Sequence, residues 1–510
     1  MIHHQSIHVF DISSSAGFVL AFACAAVAFR KWLGKLGTRL LSFLINKYLL
    51  SRYPIYREGS RETIPSCPYE WPNGQGDVAK FLDGIENRDT WSGRYGRIYR
   101  IWSGTSSEIV LTRPEHLKVV FSDSHKHRKA VDNNSGYLMS QVLGHCVGLI
   151  SGNEWSILRK ITEVPFQHKA VGNYANDIQI QVRKYLNDLR KNSHLGQGLL
   201  DPALDTKMLP FFVVAQIFYG ALSPQLVQDL RDLAPLREKL FYHVIKGGFS
   251  RFSVSQYFPT QPNTLLQDFQ AQWRRFNNRA YQHAVKSDSN APIVSMYQAA
   301  QSGTITMEQL LQTLDESLYA NLDVTTGGLS WNLVFLAANP LVQSKLRDEI
   351  SRHSHELEAY TQRSSTLLAA CILESSRLKP LAAFSVPQSA PTDRVVDGYV
   401  IPAGTNFVVD SYALNVRHEF WEPDSETYRP ERWLKLNLGE LRYHFWRFGF
   451  GPRQCMGRYA ADSVIRTFLV ELLTTYSLVL KDKDNAWGRD PNSWITHPRT
   501  TLICEPLGSL

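Results

Sequence analysis

The chain carries, at residues 448–457, the run Phe448-Gly449-Phe450-Gly451-Pro452-Arg453-Gln454-Cys455-Met456-Gly457. Its glycines and its proline predict a tight turn that presents Cys455 directly before a helical pattern. The positive end of a helix beside a thiol favours the thiolate. A thiolate held in this way can bind iron, and Phe448 would shield it from water. The alternative interpretation is a surface turn with an idle buried cysteine.

The spacing within this run resembles the haem-binding signature of the cytochrome P450 family, which reads Phe-x-x-Gly-x-Arg-x-Cys-x-Gly. The matching positions are Phe448, Gly451, Arg453, Cys455 and Gly457. The resemblance implies that these residues form the cofactor-binding loop. It also implies that Cys455 is the axial ligand of the iron of haem b.

Length and composition set the limits for the rest of the chain. With 510 residues, 44% hydrophobic content and no repeat period, the chain predicts one large catalytic domain, mostly α with small β-sheets. The six cysteines form no C-x-x-C pair, which argues against a zinc site and against a disulfide framework. A net charge of +8 without a nucleic-acid motif indicates an acidic partner or an anionic membrane, not nucleic acid.

An apolar run at residues 12–29 is close to the roughly 20 residues that a membrane-spanning helix needs. Arg30 and Lys31 follow it directly, which places the bulk of the chain in the cytosol. We expect residues 1–29 to be a transmembrane signal anchor, single-pass, in the endoplasmic reticulum membrane. A soluble apolar tail or a buried helix is the alternative.

Residues 30–72 predict a basic linker, stiffened near its end by prolines. The haem-thiolate catalytic domain is expected to cover residues 73–510. The prolines of the linker are Pro65, Pro68 and Pro72.

Trp155 and Arg159 are four residues apart and share one face of a predicted helix. An indole N–H and a guanidinium on one face can hold the same carboxylate. The pair resembles the C-helix of the P450 family, where both residues meet a haem propionate. A cation–π pair on the surface is the alternative. The basic run at residues 125–129 is expected to be a solvated face.

Residues 306–338 predict one uninterrupted helix that begins at a capping box and carries a polar stretch at its centre. That stretch resembles the oxygen-activation groove of the family's I-helix, and it departs from the usual pattern at Asn321 and Val324. Either Asp323 keeps the position of the family's acid and Thr325 is displaced by one residue, or Thr325 keeps the position of the threonine and the acid is displaced. We assign catalysis to these two residues. A helix kink without chemistry is the alternative.

Glu374 and Arg377 share a helix face in an apolar stretch, so they are expected to be buried and to need partners. In the family, such a pair closes a network with an arginine that corresponds to Arg432. Trp433 replaces the phenylalanine that usually follows. We assign this network to structure and haem retention. Gln388 stands where an arginine or histidine usually reaches a propionate.

The segments that should line the substrate pocket are the polar stretch of the central helix, residues 381–386 and a turn near the C-terminus. The residues singled out in them are Asn321, Phe384 and Trp494. Short strands between residues 394 and 409 resemble the family's small sheet.

The resemblance implies a membrane-bound monooxygenase that uses O2 and electrons from NADPH, delivered by a separate cytochrome P450 reductase. It looks like fungal enzymes of secondary metabolism, with hydroxylation, epoxidation or oxidative ring formation or coupling of a lipophilic small molecule as the reaction. Lys129, Lys160 and Arg458 are candidates for docking the acidic reductase. Two alternatives stay open: an isomerase of this fold that needs no reductase, and a membrane haem-binding protein without turnover.

Overall fold

The computed structural model describes residues 12–129, 136–287, 290–437, 439 and 441–508, with side chains from residue 32 onward. Helices dominate these residues, as predicted. The α-helices are α1 (Ile12–Arg52), α2 (Val78–Phe81), α3 (Gly84–Tyr95), α4 (Pro114–Val120), α5 (Gly136–Leu143), α6 (Gly152–Thr162), α7 (His168–Asn173), α8 (Ala175–Asn192), α9 (Met208–Tyr219), α10 (Pro224–Lys246), α11 (Gln261–Lys286), α12 (Pro292–Gln301), α13 (Met307–Ala320), α14 (Thr326–Ala338), α15 (Pro340–Arg352), α16 (Leu357–Gln362), α17 (Leu367–Leu378) and α18 (Arg458–Leu473).

The strands are short and form small sheets. They are β1 (Ile98–Ser103), β2 (Ser106–Leu111), β3 (Arg128–Lys129), β4 (Leu199–Leu200), β5 (Gln388–Ser389), β6 (Arg394–Val396), β7 (Tyr399–Ile401), β8 (Asn406–Val409), β9 (Tyr476–Leu480) and β10 (Leu502–Pro506). One sheet has the order β1-β2-β8-β5-β3, a second β4-β10-β9, and β6 pairs with β7 alone. The predicted small strands are therefore divided between sheets.

The hairpin of β1 and β2 forms the edge of the largest sheet. Its antiparallel register runs from Ile98 opposite Leu111 to Ser103 opposite Ser106. Gly104, with a φ of 60°, supplies the left-handed turn conformation that glycine adopts without strain. β8 then pairs with β2 in parallel, which connects the C-terminal half of the chain to this hairpin.

The central helix begins as predicted and is interrupted in the middle. The N–H of Gln309 donates to Thr306 Oγ1 at 3.0 Å, which completes one half of the capping box. The prediction of one uninterrupted helix is wrong, because a π-helical turn at Asn321–Thr325 separates α13 from α14. The side-chain amide of Asn321 donates to the carbonyl of Ser317 at 2.5 Å and so competes with the regular backbone ladder.

α14 is the buried spine of the helical core. Trp331, Leu333 and Leu336 are each 1% exposed or less. A helix that is apolar on every side must be surrounded by other elements. The polar π turn therefore lies next to a densely packed region.

The N-terminal region divides into two parts. The predicted anchor at residues 1–29 lies outside the residues whose side chains the structure describes. Within the described residues, no helix combines the length and apolar character needed to cross a membrane. Further along, Ile55, Ile64, Cys67 and Tyr69 are buried, so the later part of the predicted linker packs into the core.

Candidate active site

The cysteine loop, residues 448–457, forms a closed turn directly before α18. The backbone N–H of Cys455 donates to the carbonyl of Phe448 at 2.9 Å. Gly451 has a φ of 66°, and a Cβ there would collide with the hydroxyl of Ser124. The loop therefore presents the thiol of Cys455 to the open space of a central cavity of about 580 Å³.

The charge of this thiol depends on what binds to it. Burial raises the pKa of Cys455, while a hydrogen bond from the backbone of Gly457 acts in the opposite direction. In the protein alone, desolvation therefore outweighs the favourable helix start that the sequence predicts. A cation bound at the sulfur would supply the missing counter-charge and favour the thiolate.

Trp155 and Arg159, on one face of α6, both reach the central cavity. Arg159 donates to the carboxylate of Glu163 at 2.5 Å and to the carbonyl of Gln454 at 3.0 Å. Trp155 makes a cation–π contact with Arg453, whose guanidinium carbon lies 4.5 Å from the ring centroid. Two guanidinium groups and an indole thus line the wall beside the cysteine loop.

Lys129 is a functional candidate that sequence analysis placed elsewhere. From the sequence, Lys129 is expected on a solvated face and is a candidate for docking an acidic partner protein. In the structure its side chain lines the central cavity. Burial, and then repulsion from Arg453, lower the pKa of Lys129 to about 7. β3 pairs with β5 so that Lys129 stands directly opposite Gln388. Gln388 stands where the family usually has a cationic side chain. Lys129, on the neighbouring strand, places a cation beside that position.

Glu316, on α13, is an acid in this wall that the sequence analysis missed. Its carboxylate accepts a hydrogen bond from the N–H of Gly148 at 3.0 Å. Burial raises its pKa, and contacts with Cys146, Gly148, Lys129 and Arg453 act against that rise. Glu316, together with Glu163 on Arg159, balances only part of the charge of Lys129, Arg159 and Arg453, so the wall beside Cys455 suits an anionic ligand.

The π turn separates the two predicted catalytic residues. Thr325 Oγ1 donates to Asn321 Oδ1 at 2.6 Å. Asp323 instead accepts a hydrogen bond from Trp494 Nε1 at 2.9 Å, and its carbonyl accepts one from His497 Nε2 at 2.8 Å. Both predicted residues line the central cavity, each with a partner of its own.

A second cavity of about 430 Å³ adjoins the first. Asp323, Trp494 and Phe241 line both cavities, and the second also contains Lys207 and Asp490. The carboxylate of Asp323 therefore lies at the boundary between an apolar cavity and a more polar one.

Comparison with known proteins identifies the family. The family model of cytochrome P450 matches residues 85–504. The chain belongs to the cytochrome P450 family. The cytochrome P450 monooxygenase aclC of Aspergillus oryzae is 56% identical, with 90% of this chain and 95% of the relative covered. The cytochrome P450 monooxygenase asaD of Aspergillus flavus is 50% identical, with 96% of this chain and 95% of the relative covered.

A solved structure shares the P450 fold. A zebra fish cytochrome P450, determined with progesterone, matches with a TM-score of 0.65 and 18% identity, covering 82% of this chain and 98% of the other. The P450 fold expected from the sequence is thereby confirmed. The chain is an enzyme of the P450 monooxygenase class, and membership of this family implies a haem iron cofactor.

The residues at the central cavity fit such a cofactor. Haem needs an axial ligand on one face and cations for its two propionates. Cys455 provides a sulfur that is exposed to the cavity, and Lys129, Arg159 and Arg453 provide more positive charge than Glu163 and Glu316 balance. Phe448 lines the same cavity as Cys455.

The remaining predicted pocket residues also reach this P450 cavity. Asn321, Phe384 and Trp494 line it. Phe384 is held in place by stacking on Trp91, with ring centroids 5.9 Å apart. Phe384 and Trp494 therefore come from segments that only the tertiary fold brings to the central helix, which carries Asn321.

The Glu374 network forms as predicted and gains one member. Arg377 binds Glu374 through two hydrogen bonds of 2.8 Å, and Arg432 adds a third of 3.0 Å. Trp433 Nε1 donates to the same carboxylate at 2.8 Å. The tryptophan that departs from the family pattern thus contributes a donor that phenylalanine lacks.

Proposed function

We propose that this P450 is a haem-thiolate monooxygenase in which Cys455 ligates the iron and a lipophilic small molecule, a fungal secondary metabolite, is oxidised. The observation that carries the proposal is a cysteine sulfur exposed to a large apolar cavity and backed by excess positive charge. Hydroxylation, epoxidation and oxidative ring formation or coupling fall within this reaction class. The high identity to two Aspergillus monooxygenases supports it.

Each part of the wall has a separate task in this proposal. Lys129, Arg159 and Arg453 bind the propionates, and Phe448 excludes water from the sulfur. Bound haem supplies the activation of O2. Thr325 holds a proton at its hydroxyl, which Asn321 orients through the 2.6 Å hydrogen bond.

Asp323 is proposed to relay protons from the second cavity. Its carboxylate lies at the boundary between the two cavities, and Trp494 holds it there. A carboxylate that contacts water on one side and a polar helix turn on the other can pass protons between them.

The test of the iron ligand is Cys455→Ser. The reduced, carbon-monoxide-saturated spectrum of the wild type is expected to show the red-shifted Soret band of thiolate ligation, and the variant is expected to lose it. Cys504→Ala, at a buried cysteine that does not line the described cavity, is the matched control and should keep the band. A band that persists in Cys455→Ser would reject the assignment.

Electrons are proposed to come from NADPH through a cytochrome P450 reductase that docks near the cysteine loop. Arg458, which donates to the carbonyl of Cys455 at 3.1 Å, and the exposed Lys160 support this position. The separate partners of Asp323 and Thr325 favour, as second candidate, a rearrangement that needs no reductase. Substrate turnover without NADPH would establish that alternative and overturn the monooxygenase proposal.

We also propose attachment to the endoplasmic reticulum membrane, with residues 1–29 as anchor and the catalytic domain in the cytosol. Support comes from exposed apolar side chains along the rest of α1 and near its contact with the domain. These side chains are Trp32, Leu36, Leu40, Phe43, Leu44 and Trp71. Fractionation of the full-length chain against a chain lacking residues 1–29 tests this; equal solubility of the two would contradict it.

A further inference from the structure

A buried ion pair lies in the wall of the central cavity, away from the cysteine loop. Arg237, on α10, donates through Nε to Asp315 Oδ1 of α13 at 2.7 Å. The two side chains are 5% and 3% exposed. A pair buried this deeply contributes little net stability compared with apolar side chains of the same size. Because Arg237 also lines the cavity, a role toward a ligand explains its position.

Aromatic rings hold the guanidinium of Arg237 in place. Its central carbon lies 4.5 Å from the ring centroid of Phe241, 5.6 Å from that of Tyr319 and 5.8 Å from that of Phe269. Phe241 and Tyr319 line the cavity as well. The orientation of the guanidinium is therefore set before a ligand arrives, which reduces the entropy lost on binding.

The guanidinium of Arg237 donates to the described residues through only one of its nitrogens. Of its five N–H groups, the one on Nε is directed to Asp315. Neither terminal nitrogen of Arg237 donates a hydrogen bond to any residue that the structure describes. Donors at the wall of a largely apolar cavity gain free energy from an acceptor that a bound molecule supplies.

We propose, as a deepening of the monooxygenase function above, that Arg237 recognises a neutral substrate through the carbonyl oxygen of an amide, ester, lactone or ketone. The charge of Arg237 is already balanced by Asp315, so the site offers hydrogen-bond donors without a net charge for a carboxylate. The apolar rings around it accept the carbon skeleton that flanks such a carbonyl.

The ion pair is attached to the central helix before the π turn. Asp315 lies in α13, six residues before Asn321 at the start of the π turn, and six residues of helix rise by about 9 Å. The backbone of Asp315 is therefore about 9 Å along the helix axis from the start of that turn.

The test uses two uncharged probes of similar shape. Benzanilide joins its two phenyl rings through an amide, and trans-stilbene joins them through a vinylene group, which has no carbonyl. Each is titrated calorimetrically into haem-loaded wild type and into the double variant Arg237→Met/Asp315→Leu, which leaves no unpaired carboxylate. The preference for benzanilide, taken as the ratio of the two Kd values, is expected to fall by about tenfold or more. The difference in hydration between the probes is the same for every protein, so it cancels when the ratio of the variant is compared with that of wild type.

Two further variants make the result specific. Arg237→Lys keeps the charge facing Asp315 and loses the planar set of donors, so the ratio is expected to fall here too. Lys80→Met/Glu108→Leu removes another buried ion pair, whose nitrogen and oxygen are 2.7 Å apart. Neither residue is among the described residues that line the central cavity. That control should keep the wild-type ratio. An unchanged ratio in both Arg237 variants overturns the proposal.

The outcome is separable from that of the proposed function. The binding ratio does not depend on turnover or on the spectrum of the iron. If wild type turns over with reductase and NADPH while the ratio is unchanged in the variants, only the substrate class fails. If Cys455→Ser keeps the red-shifted band, the iron-ligand assignment fails and the ratio still reports on Arg237.

Discussion

At the scale of single residues, the site is governed by charges that burial makes costly. Lys129, Arg159 and Arg453 share one wall, with Glu316 and the Arg159 partner Glu163 as partial counter-charges. The lowered pKa of Lys129 and the raised pKa of Glu316 both result from desolvation. Such groups tie ligand binding to proton uptake, because an incoming anion stabilises the cationic form.

Haem affinity is therefore expected to depend on pH through Lys129. In the protein without haem the pKa of Lys129 is about 7, and bound propionates raise it. Binding then takes up a proton above that value, so affinity falls as pH rises from about 7, by at most tenfold per pH unit. Lys129→Arg stays charged and should flatten this slope. Haem transfer to apomyoglobin, followed across pH, measures it; equal slopes would contradict the prediction.

The second residue-scale prediction concerns Trp433→Phe. The variant loses the 2.8 Å hydrogen bond to the carboxylate of Glu374, whose side chain is fully buried. Hydrogen bonds to buried charges are worth about 2 kcal/mol, so the free energy of unfolding should fall by about that amount. Denaturant unfolding checks this. Trp71→Phe, at a ring that is 41% exposed, should change stability by less than about 0.5 kcal/mol.

At the scale of elements, the π turn determines which side chains face the central cavity. A π turn accommodates one extra residue within a helix and is frequent at functional sites. In this chain it sets Thr325 beside Asn321 and turns the carboxylate of Asp323 toward Trp494. The helix on either side remains regular, so the displacement is local.

Asn321→Ala is expected to reduce the coupling of NADPH consumption to product formation. Thr325 loses the acceptor that orients its hydroxyl, and its proton is delivered less reliably. A severalfold increase in hydrogen peroxide per NADPH should follow, with the carbon-monoxide band unchanged. Ser330→Ala lies on α14, is buried, and does not line the described cavity; it should couple like wild type. Unchanged coupling in Asn321→Ala would show that the side-chain amide of Asn321 has no role in proton delivery.

At the scale of the whole molecule, the cavity is closed by segments that are distant in the chain. The C-terminal segment contributes Trp494, whose indole binds Asp323 on the central helix. Arg489 of the same segment forms an ion pair with Glu86 of α3. The C-terminal segment is therefore joined to α3 and to the central helix, and its Trp494 lies at the boundary between the two cavities.

Trp494→Ala is expected to join the two cavities and admit water to the central one. Peroxide release should rise severalfold, and the substrate-induced spin-state change should shrink. Trp494→Phe keeps a ring in the partition and loses only the hydrogen bond of 2.9 Å to Asp323, so it should affect proton delivery more than water entry. Equal peroxide release from wild type and Trp494→Ala would show that Trp494 does not separate the cavities.

Local signals in the chain were sufficient for several features. The cysteine loop, the start of the central helix at Thr306 and the pairing of Glu374 with Arg377 depend on residues a few positions apart. Turn chemistry, capping and helix spacing act over such distances and can be read without knowledge of the packing.

Other features depend on contacts that no local pattern contains. Asp323 and Trp494 are 171 positions apart, and Arg237 and Asp315 are 78 apart. Lys129 looks like part of a solvated basic run until β3 pairs with β5 and directs it into the cavity. Whether a charged side chain meets water, a counter-ion or a ligand is decided by packing between distant segments, because burial and partner together set its free energy.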